Sequence, residues 1–178
     1  MHLLKALIGV LLGRTSAAAR LDAQVVAREW PGLRGRAILL VDFDGCLHHH
    51  QSGTFCWLPE LHNVLEACPW LDVVLSTNWR TGSRSYLLQQ LGMSRVDTAH
   101  LAERVRDVTG PERRGTYARH DEVLAFVRSH GVERFVALDD APFPESCDWV
   151  FRTDPNEGIG GKRCGELIAF LQQRLAPR

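Results

Sequence analysis

Hydrophobic positions along the chain fall into two alternating kinds of segment. Ala37-Ile38-Leu39-Leu40-Val41 is an unbroken apolar run of strand length, Leu71–Leu75 is apolar but for Asp72, and Phe135–Leu138 and Trp149–Phe151 are two shorter runs. Runs of this kind suit strands covered on both faces. Between them the apolar residues recur at helical spacing. Leu61, Val64, Leu65 and Cys68 lie between Pro59 and Pro69; Tyr86, Leu87, Leu88 and Leu91 are closed by Gly92; Val123, Leu124, Phe126 and Val127 stop at Gly131; and Leu167, Ile168, Phe170, Leu171 and Leu175 end the chain. Proline near a helix start and glycine just past its end are the usual punctuation. Residues 93–118 show no clear period, and Gly110-Pro111 marks a turn inside them. Strands alternating with helices predict an α/β fold, three layers around a parallel sheet. Ligands in such folds bind at the carboxyl ends of the strands.

Length and composition narrow the class. At 178 residues the chain suits one domain, here residues 35–178, preceded by an N-terminal helical segment over 1–34. Lys5 followed by Ala6–Leu12 and then Ala17-Ala18-Ala19 loosely resembles an export signal, too short to span a bilayer; the preferred reading is a leading helix that packs on the domain. Lys plus Arg and Asp plus Glu number 21 each, so the net charge is zero and there is no general polyanion-binding footprint. Five scattered cysteines without a Cys-x-x-Cys pair argue against a disulfide framework or a structural zinc site, and fit reduced thiols in a cytoplasmic protein.

The chemistry stands where the strands end. Asp42-Phe43-Asp44-Gly45 follows the first apolar run, Ser76-Thr77-Asn78-Trp79-Arg80 the second, and Asp139-Asp140 the third. Each piece alone is an ordinary turn or cap. Together, on neighbouring parallel strands, they bring four carboxylates to one rim, where mutual repulsion calls for a hard divalent cation such as Mg²⁺. A second aspartate also suits phosphate-ester cleavage better than carbon–halogen cleavage, because an alkoxide leaving group needs an acid.

These motifs resemble those of the haloacid dehalogenase-like (HAD) phosphohydrolases. Ile38–Leu47 looks like the first motif, Val73–Arg80 the second and Phe135–Asp140 the fourth, with wording similar to the small HAD domains of bacterial RNA-repair fusion proteins. The resemblance covers about residues 36–175 and implies a Rossmann-like, essentially capless domain. It also implies a phosphatase that works through an aspartyl-phosphate. Asp42 would be the nucleophile and Asp44 the general acid and base. Mg²⁺ would be held by the Asp42 carboxylate, the Asp44 carbonyl and Asp139, with Asp140 close by. Thr77 is taken as the phosphate-binding hydroxyl with Ser76 as the alternative, and Asn78 beside them in the same motif is, with Ser76 and Arg80, a candidate substrate-binding residue. Arg119, three residues before Glu122 at a helix start, is the candidate basic residue of the third motif. A phosphotransferase using the same site and a non-catalytic binding domain are the alternative functions.

Several residues carry two readings. Arg80 opposes the dipole of the helix it opens, so it either grips substrate phosphate or forms a structural ion pair. His48-His49-His50 reads as a solvated loop rather than a metal site, since adjacent residues cannot all face one ion. Gly158–Lys162 lacks phosphate-loop spacing and reads as a turn into the last helix. Trp57, Trp70 and Trp149 read as packing residues. The arginines between Arg104 and Arg119 are candidate contacts for the backbone of a nucleic-acid end, and no membrane association is expected.

Overall fold

A computed structural model describes residues 32–50, 52–81, 99–110 and 114–177. Five strands, β1 (Ala37–Val41), β2 (Leu71–Leu75), β3 (Val105–Val108), β4 (Arg134–Asp139) and β5 (Val150–Arg152), form an all-parallel sheet in the order β3-β2-β1-β4-β5. The described helices are α1 (Leu58–Ala67), α2 (Ala99–Arg104), α3 (Ala118–His130) and α4 (Lys162–Leu175). β1 is central, with Val41 level with Leu75 on one side and Leu138 on the other. That register brings the residues just after three strands to one rim.

Alternation along the strands sorts the core into two layers. Leu39, Val41, Val73, Leu75 and Leu138 pack with the apolar stripes of α1 and α4, which carry Leu61, Leu65, Leu167 and Leu171. Ile38, Leu40, Val74 and Ala137 pack with Val123, Phe126 and Val127 of α3. Pro59 opens α1, and Gly131, at φ 61°, closes α3 in the left-handed conformation. Trp57 and Trp70 pack against the first layer and Trp149 against the second, as their packing role requires. Gly158–Lys162 is the expected turn into α4.

The aperiodic stretch holds structure that its pattern conceals. Residues 99–108 form α2 and β3, an edge strand whose Arg106 and Asp107 are only partly buried and so break the apolar run. Arg106 Nε and Arg36 Nη1 both meet the Asp72 carboxylate, at 2.7 and 2.5 Å, at the amino end of the sheet. Arg104 donates to Leu71 O at 2.9 Å. In a parallel sheet this rim is opposite the strand ends with the motifs, which corrects the assignment of Arg104 and Arg106 to substrate contacts. The 1–31 part of the N-terminal segment, the helix expected over Tyr86–Leu91 and the Arg80 side chain lie outside the described residues. No helix among the described residues is long and apolar enough to cross a membrane.

Candidate active site

Asp42 leaves β1 with its N–H still donating to Leu138 O at 3.0 Å, and Ser76 N–H donates to Val41 O at 2.9 Å. The ladder thus runs one residue beyond each strand and sets Ser76 beside Asp42. The chain then turns sharply. Gly45 takes φ 68°, and a Cβ on it would lie 2.3 Å from Asp140 Oδ2. Only glycine allows both the backbone conformation and the close approach of the fourth-motif loop. Gly45 N–H donates to His48 O at 2.9 Å, closing the turn.

Asp42, Asp139 and Asp140 each present a carboxylate oxygen within 4.8 Å of the others. Asp139 ends β4, and its Oδ1 accepts the Ala141 N–H at 2.9 Å. Burial raises the Asp42 carboxyl to about 6, with Arg119 and the Phe43 N–H opposing the rise and Asp140 and Asp44 adding to it. Burial, then Asp42, pushes Asp139 well above the usual carboxylate range, and Asp140 is raised by burial too. All three therefore resist ionisation even with the Arg119 guanidinium beside them.

Arg119 supplies part of the missing charge. It lies on the buried stripe of α3 with Glu122, Val123, Phe126 and Val127. Helical spacing makes the amino-terminal end of that stripe polar and aims it at the carboxyl rim. Its Nη2 donates to Asp42 Oδ2 at 3.4 Å and to Asn78 Oδ1 at 3.2 Å, its Nη1 donates to Glu122 Oε1 at 2.9 Å, and its Nε lies 3.1 Å from Asp139 Oδ2. Glu122 also accepts the Thr109 hydroxyl. Burial alone would lower the guanidinium pKa, but the carboxylates of Asp42, Asp139 and Glu122 keep it above the ordinary value. With Asp42, Asp139, Asp140 and Glu122 around one guanidinium, the cluster stays net negative when ionised. Three hard oxygen donors in that field fit Mg²⁺.

The remaining motif residues divide by orientation. The Asp44 carboxylate stands outside the triad: its Oδ2 accepts the Trp79 indole N–H at 2.8 Å, and its Oδ1 lies 3.6 Å from His48 Nε2. Ser76 Oγ is buried without a hydrogen-bond partner among the described residues, whereas Thr77 Oγ1 accepts the Trp79 backbone N–H at 3.2 Å. Asn78 is exposed, at the mouth of a cavity of about 250 Å³ lined also by Thr116, Arg119 and Ala141.

Three residues of the site escaped the sequence reading. His48 is fully buried against Phe55 and Trp79, which corrects the picture of a wholly solvated triple-histidine loop; His49 and His50 are exposed. Its position four residues after Asp44, inside a glycine turn, was the available signal. Glu122 shares the α3 stripe with Arg119, and Trp79 sits within the second motif itself.

A search of curated proteins and one of solved structures matched nothing. The family model described as the HAD domain in Swiss Army Knife RNA repair proteins matches residues 38–163, which contain all of the described strands but Ala37, together with Asp42, Asp44, Ser76–Arg80, Asp139, Asp140 and the Arg119 helix. With its doubly covered parallel sheet and an aspartate pair at the end of the central strand, the chain belongs to this family of HAD-type phosphohydrolase domains.

Proposed function

We propose that the chain is a Mg²⁺-dependent phosphatase that forms an aspartyl-phosphate and acts on phosphate carried by a macromolecule, a nucleic-acid end foremost. The observation that carries this reading is the convergence of Asp42, Asp139 and Asp140 within 4.8 Å beside a buried guanidinium. Asp42 attacks phosphorus as the ester P–O bond breaks, and Asp44 gives its proton to the departing oxygen. Asp44 then takes a proton from water, whose oxygen bonds to phosphorus as the Asp42 acyl phosphate breaks. Arg119 offsets phosphoryl charge and holds Asp42 in place. Ser76 or Thr77 donates to a phosphoryl oxygen, and the unengaged Ser76 hydroxyl beside Asp42 favours Ser76. Asp42, Asp139 and Asp140 would hold Mg²⁺, which when bound polarises the phosphoryl group and completes the neutralisation of the site.

The preference for a large substrate rests on the rim. No helix interrupts the described residues between β1 and α1, so none covers the rim from that connection. A rim open on that side admits a phosphate and leaves the rest of its carrier outside. The description of the family as RNA repair proteins agrees with this choice.

The test is turnover of p-nitrophenyl phosphate with Mg²⁺ and with EDTA, and kcat/KM for a 3′- or 5′-phosphorylated oligonucleotide against the matching mononucleotide. Expected are activity that EDTA abolishes, loss of activity in Asp42→Asn, and preference for the oligonucleotide. Full activity in EDTA removes the metal, and a tenfold preference for the mononucleotide removes the macromolecular substrate. Preferential transfer to an added alcohol would establish the phosphotransferase instead, and Mg²⁺ binding without turnover the binding domain.

A further inference from the structure

We infer that Trp79 is a positioning residue for Asp44, holding its carboxyl group in place for both proton transfers. The inference rests on the proposed role of Asp44 as general acid and base. Asp44 Oδ1 is buried next to His48, while Oδ2 accepts the Trp79 indole N–H at 2.8 Å in a side chain that is only partly covered.

An indole N–H can donate but cannot accept. It therefore bonds to Oδ2 whether Asp44 is ionised or protonated, and never competes for the proton in transit. A lysine or serine in its place could take up or give back a proton. Trp79 orients Asp44 without entering the proton balance.

The indole is itself held. Its ring meets Phe43, Phe55 and His48 at centroid separations of 6.1, 5.6 and 5.6 Å, mostly edge to face. A Cβ on Gly53 would approach its Cη2 to 3.3 Å, so the chain at Gly53 is packed closely against the ring. Its backbone N–H is tied to Thr77 Oγ1. Phe43 lies between the two catalytic aspartates in sequence, so one aromatic cluster links the first motif, the second motif and the loop between β1 and α1. A carboxylate on a tight turn otherwise has free rotation about χ1 and χ2. Here the hydrogen bond removes it.

General acid–base catalysis contributes ~10²–10⁴-fold, and its efficiency depends on alignment within hydrogen-bond reach. Loss of the indole N–H forfeits part of that factor wherever the leaving group needs a proton. The experiment compares wild type, Trp79→Phe and Asp44→Asn on an alkyl phosphate and on an aryl phosphate with a good leaving group. Phosphoenzyme formation is followed in a single turnover. A chain carrying 3-benzothienylalanine at position 79, which keeps the bicyclic ring and replaces N–H by sulfur, serves if the phenylalanine loosens the loop.

The expected result is a fall of about tenfold or more in the alkyl phosphorylation rate with KM within twofold, and little change for the aryl ester. Asp44→Asn should show the same selectivity more strongly. Equal losses on both esters, or wild-type rates in both position-79 variants while Asp44→Asn is impaired, overturn the inference. Wild-type alkyl turnover in Asp44→Asn overturns instead the role of Asp44 on which it rests.

Discussion

Burial at the end of β1 raises Asp42 to about 6, so at neutral pH the folded chain keeps an ionised carboxylate in an unfavourable place. An acid whose folded pKa is raised stabilises the fold below its ordinary value, 3.8, and loses that contribution as pH rises through about 6. Protons and a divalent ion compete for the same oxygens, since the raised groups Asp139 and Asp140 are the other two members of the triad. Mg²⁺ stabilisation should therefore be larger at pH 7.5 than at pH 5. At tenfold excess over Kd the linkage is worth about 1.4 kcal/mol, or roughly 3–6 °C in Tm for a domain of this size. Thermal melts at the two pH values check this, and an equal shift at both would remove these carboxylates as the ligands.

At the scale of elements, α3 joins the core to the chemistry through a single stripe. Val123, Phe126 and Val127 anchor it beneath β1 and β4, and one turn earlier the same stripe delivers Glu122 and Arg119. Glu122→Gln keeps the shape and removes the charge opposite Arg119, leaving a buried guanidinium with a weaker partner. The expected outcome is a loss of about 1–3 kcal/mol in urea unfolding, with KM raised as Arg119 loses its tether. Unchanged unfolding and KM would make the pair dispensable. Arg119 was legible from sequence because helical spacing from Glu122 and the start of α3 placed it. The apolar strands were legible for a similar reason, since burial on both faces leaves few polar residues to blur the run, and so were the polar residues after them, acidic after β1 and β4 and Ser-Thr-Asn after β2. β3 was not, because an edge strand with Arg106 and Asp107 is only half covered. Nor was the partnership of Trp79 with Asp44, because a hydrogen bond between residues 35 apart leaves no periodic trace.

At the scale of the whole domain, the described arginines divide between the two ends of the sheet. Arg36, Arg104 and Arg106 serve the amino end of the sheet. At the other end, exposed Arg114 and Tyr117 lie just ahead of α3, next to the cavity wall at Gly115 and Thr116. A cation and an aromatic ring at that spacing suit the backbone and a base of a single strand. Arg114→Glu with Tyr117→Ala should lower kcat/KM on a phosphorylated oligonucleotide severalfold and leave p-nitrophenyl phosphate unchanged. Equal effects on both would place these residues outside substrate binding. The central position of β1 has a consequence of another kind. Every residue from Ile38 to Val41 is wholly shielded, and the Asp42 amide remains bonded to β4. Amides in such a place exchange with solvent deuterium only when the entire fold opens. Fraying of the surrounding loops can vary from moment to moment without moving Asp42, so the slowest-exchanging strand of the protein should be the one that ends in this proposed nucleophile.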